Sequence, residues 1–414
     1  MAQAILASDL PVMGCSEGVP SAPRIEDASP SSTEDRVTAG DGLVVGEVEV
    51  RRLCGDALRI EVREYHNVHH LYKLTSSKVG IPAGQLRLVA DSSVLQGEEP
   101  AIDLIGTIIT ALVMPAGVAL SGSFDRTLRM WDLSTRKCVG TLKGSSQSMV
   151  WSLDVDFTAK RAVSGMHDRA IRVWDLEHLQ CIGELNGHCD CVQGVVADFN
   201  LQRVISCCSD GTLKIWSLET MACLGTLEGH ASGVWAVSAD FTVQQAASAS
   251  LDHSVRIWNT DKQNCVHRLI GHSKAVWAIS VDFKAQRVAS GSGDCTIRLW
   301  EWTSSGVFEL GSLKGHQGAV FTVIADFTRG RAISGSGDHC LRIWDLQSLT
   351  CLGKMDGHTG PILNVCTDGK RALSGSEDNT LRLWDLEESK CIATLEDHRD
   401  TVTCVCASFS IGAT

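Results

Sequence analysis

From residue 116 onward the chain breaks into short apolar runs separated by clusters of Asp, Gly, Ser and Thr. One unit shows the pattern. Val192 to Ala197 is an apolar first strand, and a turn at Asp198-Phe199 follows. Arg203-Val204-Ile205-Ser206 reads as a second strand, and Ser209-Asp210-Gly211-Thr212 as the kind of tight turn that Asp and Gly favour. Leu213-Lys214-Ile215-Trp216 alternates with period two, as a strand does, and Cys223 to Leu227 is an outer strand. The unit recurs. Seven times an Asp is followed six positions later by a Trp: Asp125/Trp131, Asp168/Trp174, Asp210/Trp216, Asp252/Trp258, Asp294/Trp300, Asp338/Trp344 and Asp378/Trp384. Successive aspartates lie 40 to 44 residues apart. Four short strands at that period predict four-stranded blades around an axis.

Gly-His, then Ser-Gly-Ser-x-Asp, then Ile-Trp-Asp is the pattern of the WD-repeat family, which residues 116–414 resemble over all seven units. The resemblance implies an all-β, seven-bladed β-propeller. In that family the His, a second-strand Ser, the turn Asp and the Trp form a hydrogen-bonded network. Ser lies four positions before every Asp: Ser121, Ser164, Ser206, Ser248, Ser290, Ser334 and Ser374. His188, His230, His272 and His316 precede Asp210, Asp252, Asp294 and Asp338 by 22 positions, and His358 precedes Asp378 by 20. His398 is left over, Asp125 lacks a local His, and Ser145 stands where Asp168 would have one.

Counting strands accounts for the leftover. Sets of second, third and outer strands begin at Leu120, Ala162, Val204, Ala246, Val288, Ala332 and Ala372. First strands begin at Val150, Val192, Val234, Ala275, Val320, Ile362 and Val402, one unit out of step. The economical arrangement is a ring in which strand 401–409 completes the blade begun at Leu120 and His398 serves Asp125, leaving no open sheet edge. A rival arrangement takes Thr107–Met114 as the missing first strand and leaves both Asp125 and His398 without partners.

The preceding residues lack the repeat. Residues 46–115 read as strands at Val48–Leu53 and Leu58–Val62, a helix about Asn67–Lys78, and strands at Leu86–Val89 and Thr107–Met114, a small α+β domain. The order of elements, Gly80-Ile81-Pro82 after the helix, and Gln85-Leu86-Arg87-Leu88 with Leu95 behind it resemble ubiquitin-like (β-grasp) domains. No Gly-Gly tail follows, since Met114-Pro115-Ala116-Gly117 runs straight on, so conjugation is not expected. Residues 1–45, rich in Ser, Pro, Glu, Asp and Gly, are expected to be disordered.

Composition narrows the partners. No apolar run approaches the roughly 18–20 residues of a membrane span. The start, MAQAILASDLPVMGC, lacks the basic flank and apolar core of a secretory signal. With that start, seventeen cysteines point to reduced thiols in the cytoplasm, the nucleus or both. Net charge is −12 and no segment is basic, so neither nucleic acid nor membrane is an expected partner.

The chemistry that repetition offers is structural. Ser, His and Asp in one network resemble a nucleophilic triad, but six copies at fixed offsets are what a scaffold needs, not an active site. Cys138, Cys181, Cys223, Cys265, Cys351 and Cys391 recur at one outer-strand position and read as small fillers. His188-Cys189-Asp190-Cys191, Cys207-Cys208 and Cys404-Val405-Cys406 lack zinc-site spacing, and His66, His69 and His70 read as polar helix surface. No phosphate-binding glycine motif appears. No metal, cofactor or catalytic residue is expected.

The informative residues are those the repeat lets vary. Trp151, Trp235 and Trp277, with Phe321 and Leu363, hold one early first-strand position; Gln193 and Thr403 are its polar exceptions. In WD-repeat proteins this position faces the ligand-binding top of the ring, so these residues either grip a partner or pack between blades. Rim candidates precede each turn Asp: Phe124, His167, Ser209, Leu251, Gly293, Gly337 and Glu377. The expected function is a non-catalytic adaptor that binds proteins or peptides on that face, within a multi-protein complex. The alternative is a substrate receptor of a ubiquitin ligase complex.

Overall fold

In each forty-residue unit the strands pair in chain order into one antiparallel sheet, with the first strand at one edge and the outer strand at the other. The computed structural model describes residues 44–52, 57–63, 71, 74–75, 86–90, 93–94, 108–113, 117–143 and 148–409. Six blades are continuous in sequence, with first strands Val150–Asp156, Val192–Asp198, Val234–Asp240, Val276–Asp282, Val320–Asp326 and Ile362–Thr367. Call these blades 2 to 7. Each first strand packs beside the next, and those of blades 7 and 2 both pack against Val402–Ser408, which closes a ring of seven.

Second strands are the most continuously buried, serines included, because they are covered on both faces. Val204–Cys208 and Ala246–Ser250 are buried at every position. Outer strands alternate, with Gln180–Leu185 exposed at every second residue until its last. The core lies between blades. Val163, Ile171, Val173 and Leu185 of blade 2 meet Val204, Trp216 and Leu218 of blade 3. The seven repeat tryptophans are at most 3% exposed, so each buries nearly its whole ring in such a seam. Of the outer-strand cysteines, Cys138, Cys181 and Cys265 are partly buried against the seams, as small fillers are, and the other three depart from that reading. Cys223, Cys351 and Cys391 are exposed, because this strand has solvent on its outer side. Their thiols donate to the carbonyls of Gly225, Gly353 and Ala393 at 3.4–3.5 Å.

Blade 1 is assembled from both ends of the repeat. Val402–Ser408 pairs with β6 (Val118–Ser123), which pairs with β7 (Thr127–Asp132) and then β8 (Lys137–Lys143). The register sets Val402 against Ser123 and Ser408 against Val118. Side chains of this strand enter two seams: Val402 and Val405 pack with Leu373 and Leu381, and Cys404 packs with Leu120 and Val150.

Ahead of the ring lie β1 (Val44–Arg52), β2 (Ala57–Arg63), β3 (Leu86–Ala90), β4 (Ser93–Val94) and β5 (Ile108–Val113). They form one sheet in the order β2-β1-β5-β3-β4, with β1 and β5 parallel and the other pairs antiparallel. Leu71, Leu74 and Thr75 are helical, and Leu71 is buried. Thr107–Met114 as a first strand of blade 1 does not occur, since β5 is held between β1 and β3. Residues 1–43, the rest of the expected helix with its His66, His69 and His70, and Ser145 lie outside the described residues.

Candidate functional site

The repeated polar residues gather at the end of the ring that carries the Asp turns, here the top. In blade 4 the Trp258 indole N–H donates to Ser248 Oγ at 2.8 Å, and the serine hydroxyl lies 2.7 Å from His230 Nε2. His230 Nδ1 stands 2.8 Å from Asp252 Oδ2. A carboxylate can only accept, so Nδ1 carries the proton and Nε2 accepts from the serine. The same geometry joins His272 to Asp294, His316 to Asp338 and His358 to Asp378. His398, carried by the C-terminal strand's loop, meets Asp125 at 2.8 Å and Ser121 at 2.8 Å across 273 and 277 residues. The other oxygen of each Asp closes the turn, as where Thr296 and Thr380 donate hydroxyl and backbone N–H to Asp294 and Asp378. The residue after the Asp takes a left-handed conformation, φ 66–75° in six blades and 88° at Gly211. All seven serines are fully buried, so no substrate reaches these hydroxyls and the networks serve as rivets.

Blade 2 uses a different rivet. There Arg172, almost wholly buried, pairs with Asp168 at 2.7 Å and with Glu184 at 3.0 Å. Ser148 Oγ accepts the Asp168 N–H at 2.9 Å.

The variable residues occupy a β-bulge. In all seven blades the register between first and second strand slips by one residue near the top. The residue left unpaired is Trp151, Gln193, Trp235, Trp277, Phe321, Leu363 or Thr403. A bulge re-aims a side chain out of the sheet. The rim residues are fixed beside them by backbone bonds. The N–H of Phe124, His167, Ser209, Leu251, Gly293, Gly337 and Glu377 each donates to the carbonyl just before a first strand, at 2.8–3.0 Å. Bulge and rim therefore form one surface.

Five aromatic rings join across it edge to face. Phe124 meets Trp151 at 4.8 Å, Trp151 meets Trp235 at 5.7 Å, Trp235 meets Trp277 at 4.6 Å and Trp277 meets Phe321 at 5.8 Å. Trp151 and Trp235 stand on blades 2 and 4, so they lean together across blade 3. All five rings are half-buried. The indole nitrogens of Trp151 and Trp235 are buried without a hydrogen-bond acceptor, which ties those two rings to packing as well as to the surface. Small rim residues make room: a Cβ on Gly293 would sit 3.1 Å from Trp277 Nε1, and one on Gly337 3.3 Å from Phe321. The polar exceptions are buried. Gln193 donates to Ser209 Oγ at 2.9 Å, and Thr403 donates to the Val150 carbonyl at 2.8 Å. Leu363 is half-buried, and Leu251 and Glu377 complete the half-exposed rim, with His167 more exposed. Burial pushes the Glu377 carboxyl up, partly countered by His339.

The opposite face holds an open cavity of about 560 Å³, lined by Phe241, Phe283 and Phe327 with Asp240, Asp282 and Asp326. Those aspartates cap their own turns, accepting the backbone N–H groups of Thr242, Ala285 and Thr328.

Seven four-stranded blades, closed into a ring and riveted by repeated Trp, Ser, His and Asp, define a β-propeller. The chain belongs to the WD40 family: the model described as WD domain, G-beta repeat matches residues 136–175, 179–217, 221–259, 263–301, 308–345 and 349–385. Each match runs from the outer strand of one blade through the third strand of the next, and the seventh such unit is split by the closure between Lys390–Leu395 with Val402–Ser408 and Val118–Ser123 with Thr127–Asp132. Comparison with the curated proteins found no match. WD40 propellers are generally non-catalytic scaffolds that bind other proteins.

Proposed function

We propose that this protein is a non-catalytic scaffold that grips a peptide or protein segment on the top of the ring. The observation that carries this reading is the continuous half-exposed arc from Phe124 on the rim through Trp151, Trp235, Trp277 and Phe321, the last four raised from the sheets by bulges. Large aromatic anchors dominate the energetics of protein interfaces. Leu363, Leu251, His167 and Glu377 form the rim around it. The test is Trp277→Ala, chosen because its indole is not among the buried nitrogens left without an acceptor. The variant should fold like the parent and lose captured partners by at least about 2 kcal/mol, the scale of an aromatic hot spot. A folded variant that keeps every partner refutes the reading.

A second reading concerns residues 46–115, as a ubiquitin-like domain of a substrate receptor in a ubiquitin ligase complex. What favours it is the sheet order β2-β1-β5-β3-β4 with its parallel β1–β5 pair, added to the sequence resemblance. In this reading the two modules hold two partners at high effective concentration. Affinity purification with the whole chain and with a chain lacking residues 1–115 separates the readings. Ubiquitin-system proteins lost only on truncation support the receptor; their absence from both preparations counts against it. The site of action is proposed to be the cytoplasm, the nucleus or both.

A further inference from the structure

Blade 3 breaks the rivet in one place. In five blades the His Nδ1 stands 2.7–2.8 Å from its Asp. His188 Nδ1 is 3.8 Å from Asp210 Oδ2, its side chain has no solvent exposure, and Nδ1 has no hydrogen-bond partner. The same blade changes a second residue. Two positions before the turn Asp, blades 1 and 4–7 carry Ser123, Ser250, Ser292, Ser336 and Ser376, each accepting the Asp N–H at 3.0–3.2 Å. Blade 3 has Cys208, fully buried, with its sulfur 3.4 Å from the Asp210 nitrogen. A ring nitrogen of His188, the Cys208 Sγ and a carboxylate oxygen of Asp210 all lie within 4.8 Å of one another.

We propose that blade 3 is a binding site for a thiophilic divalent cation, Zn²⁺ by its chemistry, held by His188, Cys208 and Asp210. An imidazole nitrogen, a thiolate and a carboxylate are the donors zinc takes in tetrahedral sites. Ligand atoms at zinc distances stand about 3.3–3.7 Å from one another. The His188–Asp210 gap of 3.8 Å is too long for a hydrogen bond and close to that span. The orientation suits binding. Asp210 Oδ1 is taken by Thr212, while Oδ2 receives the Cys189 N–H at 3.2 Å and keeps a lone pair. His188 Nε2 lies 2.7 Å from Ser206 Oγ, so with Nδ1 on the ion it donates its proton there, the support that ligating histidines use. The Asp210 side chain is 17% exposed, which gives an entry path and a fourth position for water. Binding releases the Cys208 proton to solvent and gives up the hydrogen bond it now donates to the Asp190 carbonyl at 3.1 Å. The ion would join the His188 loop to the Asp210 turn in place of the missing bond. Spacing along the chain could not show this, because the fold carries His188 to a pair twenty residues away.

The test is a Co²⁺ titration of the metal-free full chain, followed by competition with Zn²⁺. One equivalent should bind with a thiolate-to-cobalt charge-transfer band, and Zn²⁺ should displace it. Cys208→Ser installs the residue that five other blades use, so it should fold. It should lose the band and weaken binding by more than about tenfold, the least that loss of a group merely supporting a ligand costs. A wild-type chain that shows no band overturns the site, whatever the variant does. So does a band that survives in Cys208→Ser, which would assign the ion to other thiols.

Discussion

Each buried serine serves two partners, and removing its hydroxyl tests what the rivets contribute. In Ser248→Ala the Trp258 N–H and His230 Nε2 both lose a partner out of reach of water. Each unmet group costs about 1–3 kcal/mol. Ser164 of blade 2 accepts the Trp174 N–H at 2.9 Å and otherwise lies against the Met166 sulfur, a weak acceptor. Ser164→Ala should therefore destabilise about half as much as Ser248→Ala, measured as shifts in the urea midpoint. Equal shifts would show that the His arm adds nothing. The offsets among Ser, Asp and Trp were legible because a buried network tolerates few residue types. The substitution of Arg172 for a histidine was not. A basic residue four positions after the Asp also occurs in every other blade (Arg129, Lys214, Arg256, Arg298, Arg342 and Arg382), so nothing in the sequence marks Arg172 as different.

At the scale of elements, strand number and order were readable because apolar runs and turn residues recur on a fixed period. The bulges were not, because the first strands are apolar on both faces, as in Val234–Asp240 and Val276–Asp282, so the change of phase that one extra residue causes leaves no break in alternation to read. The sequence placed Trp151, Trp235 and Trp277 at one position without saying whether they stack between blades. In the fold they do both: the bulges gather them into one half-exposed arc, and within it they pack on one another from blade to blade. The C-terminal strand offers the sharper experiment. Deleting residues 397–414 removes Val402 and Val405 from one seam, Cys404 from another, and His398 from Asp125 and Ser121. It also exposes the unpaired edge of β6, a template for another chain. The truncated protein should lose its cooperative unfolding transition or elute as oligomers, read by circular dichroism and size-exclusion chromatography. A monomer with the parent's transition would mean that the ring holds without its closing strand.

The ring as a whole should be sensitive to acid, because its rivets titrate together. Burial raises Asp125, Asp252, Asp294, Asp338 and Asp378, yet the hydrogen bonds from His398, His230, His272, His316 and His358 and from the turns outweigh it, holding each carboxyl well below its ordinary range. Burial also holds His230 and His358 below their ordinary value, against the pull of Asp252 and Asp378. In both cases the unfolded chain binds more protons than the folded one, so stability rises with pH. The histidine part is complete above about pH 6.5 and fades below it. The carboxylate part is complete above about pH 4 and continues to fall as pH drops toward the depressed folded values. Asp154 and Glu377, both raised first by burial, act the other way but are outnumbered, since Asp210 is lowered as well. Each seam shares strands with the next, so losing one rivet strains its neighbours around a closed ring. The urea midpoint should hold steady above pH 7, decline slightly to pH 5, and drop steeply below pH 4 in one transition. A midpoint that stays constant down to pH 3 would show that the His–Asp pairs position the turns without stabilising the ring.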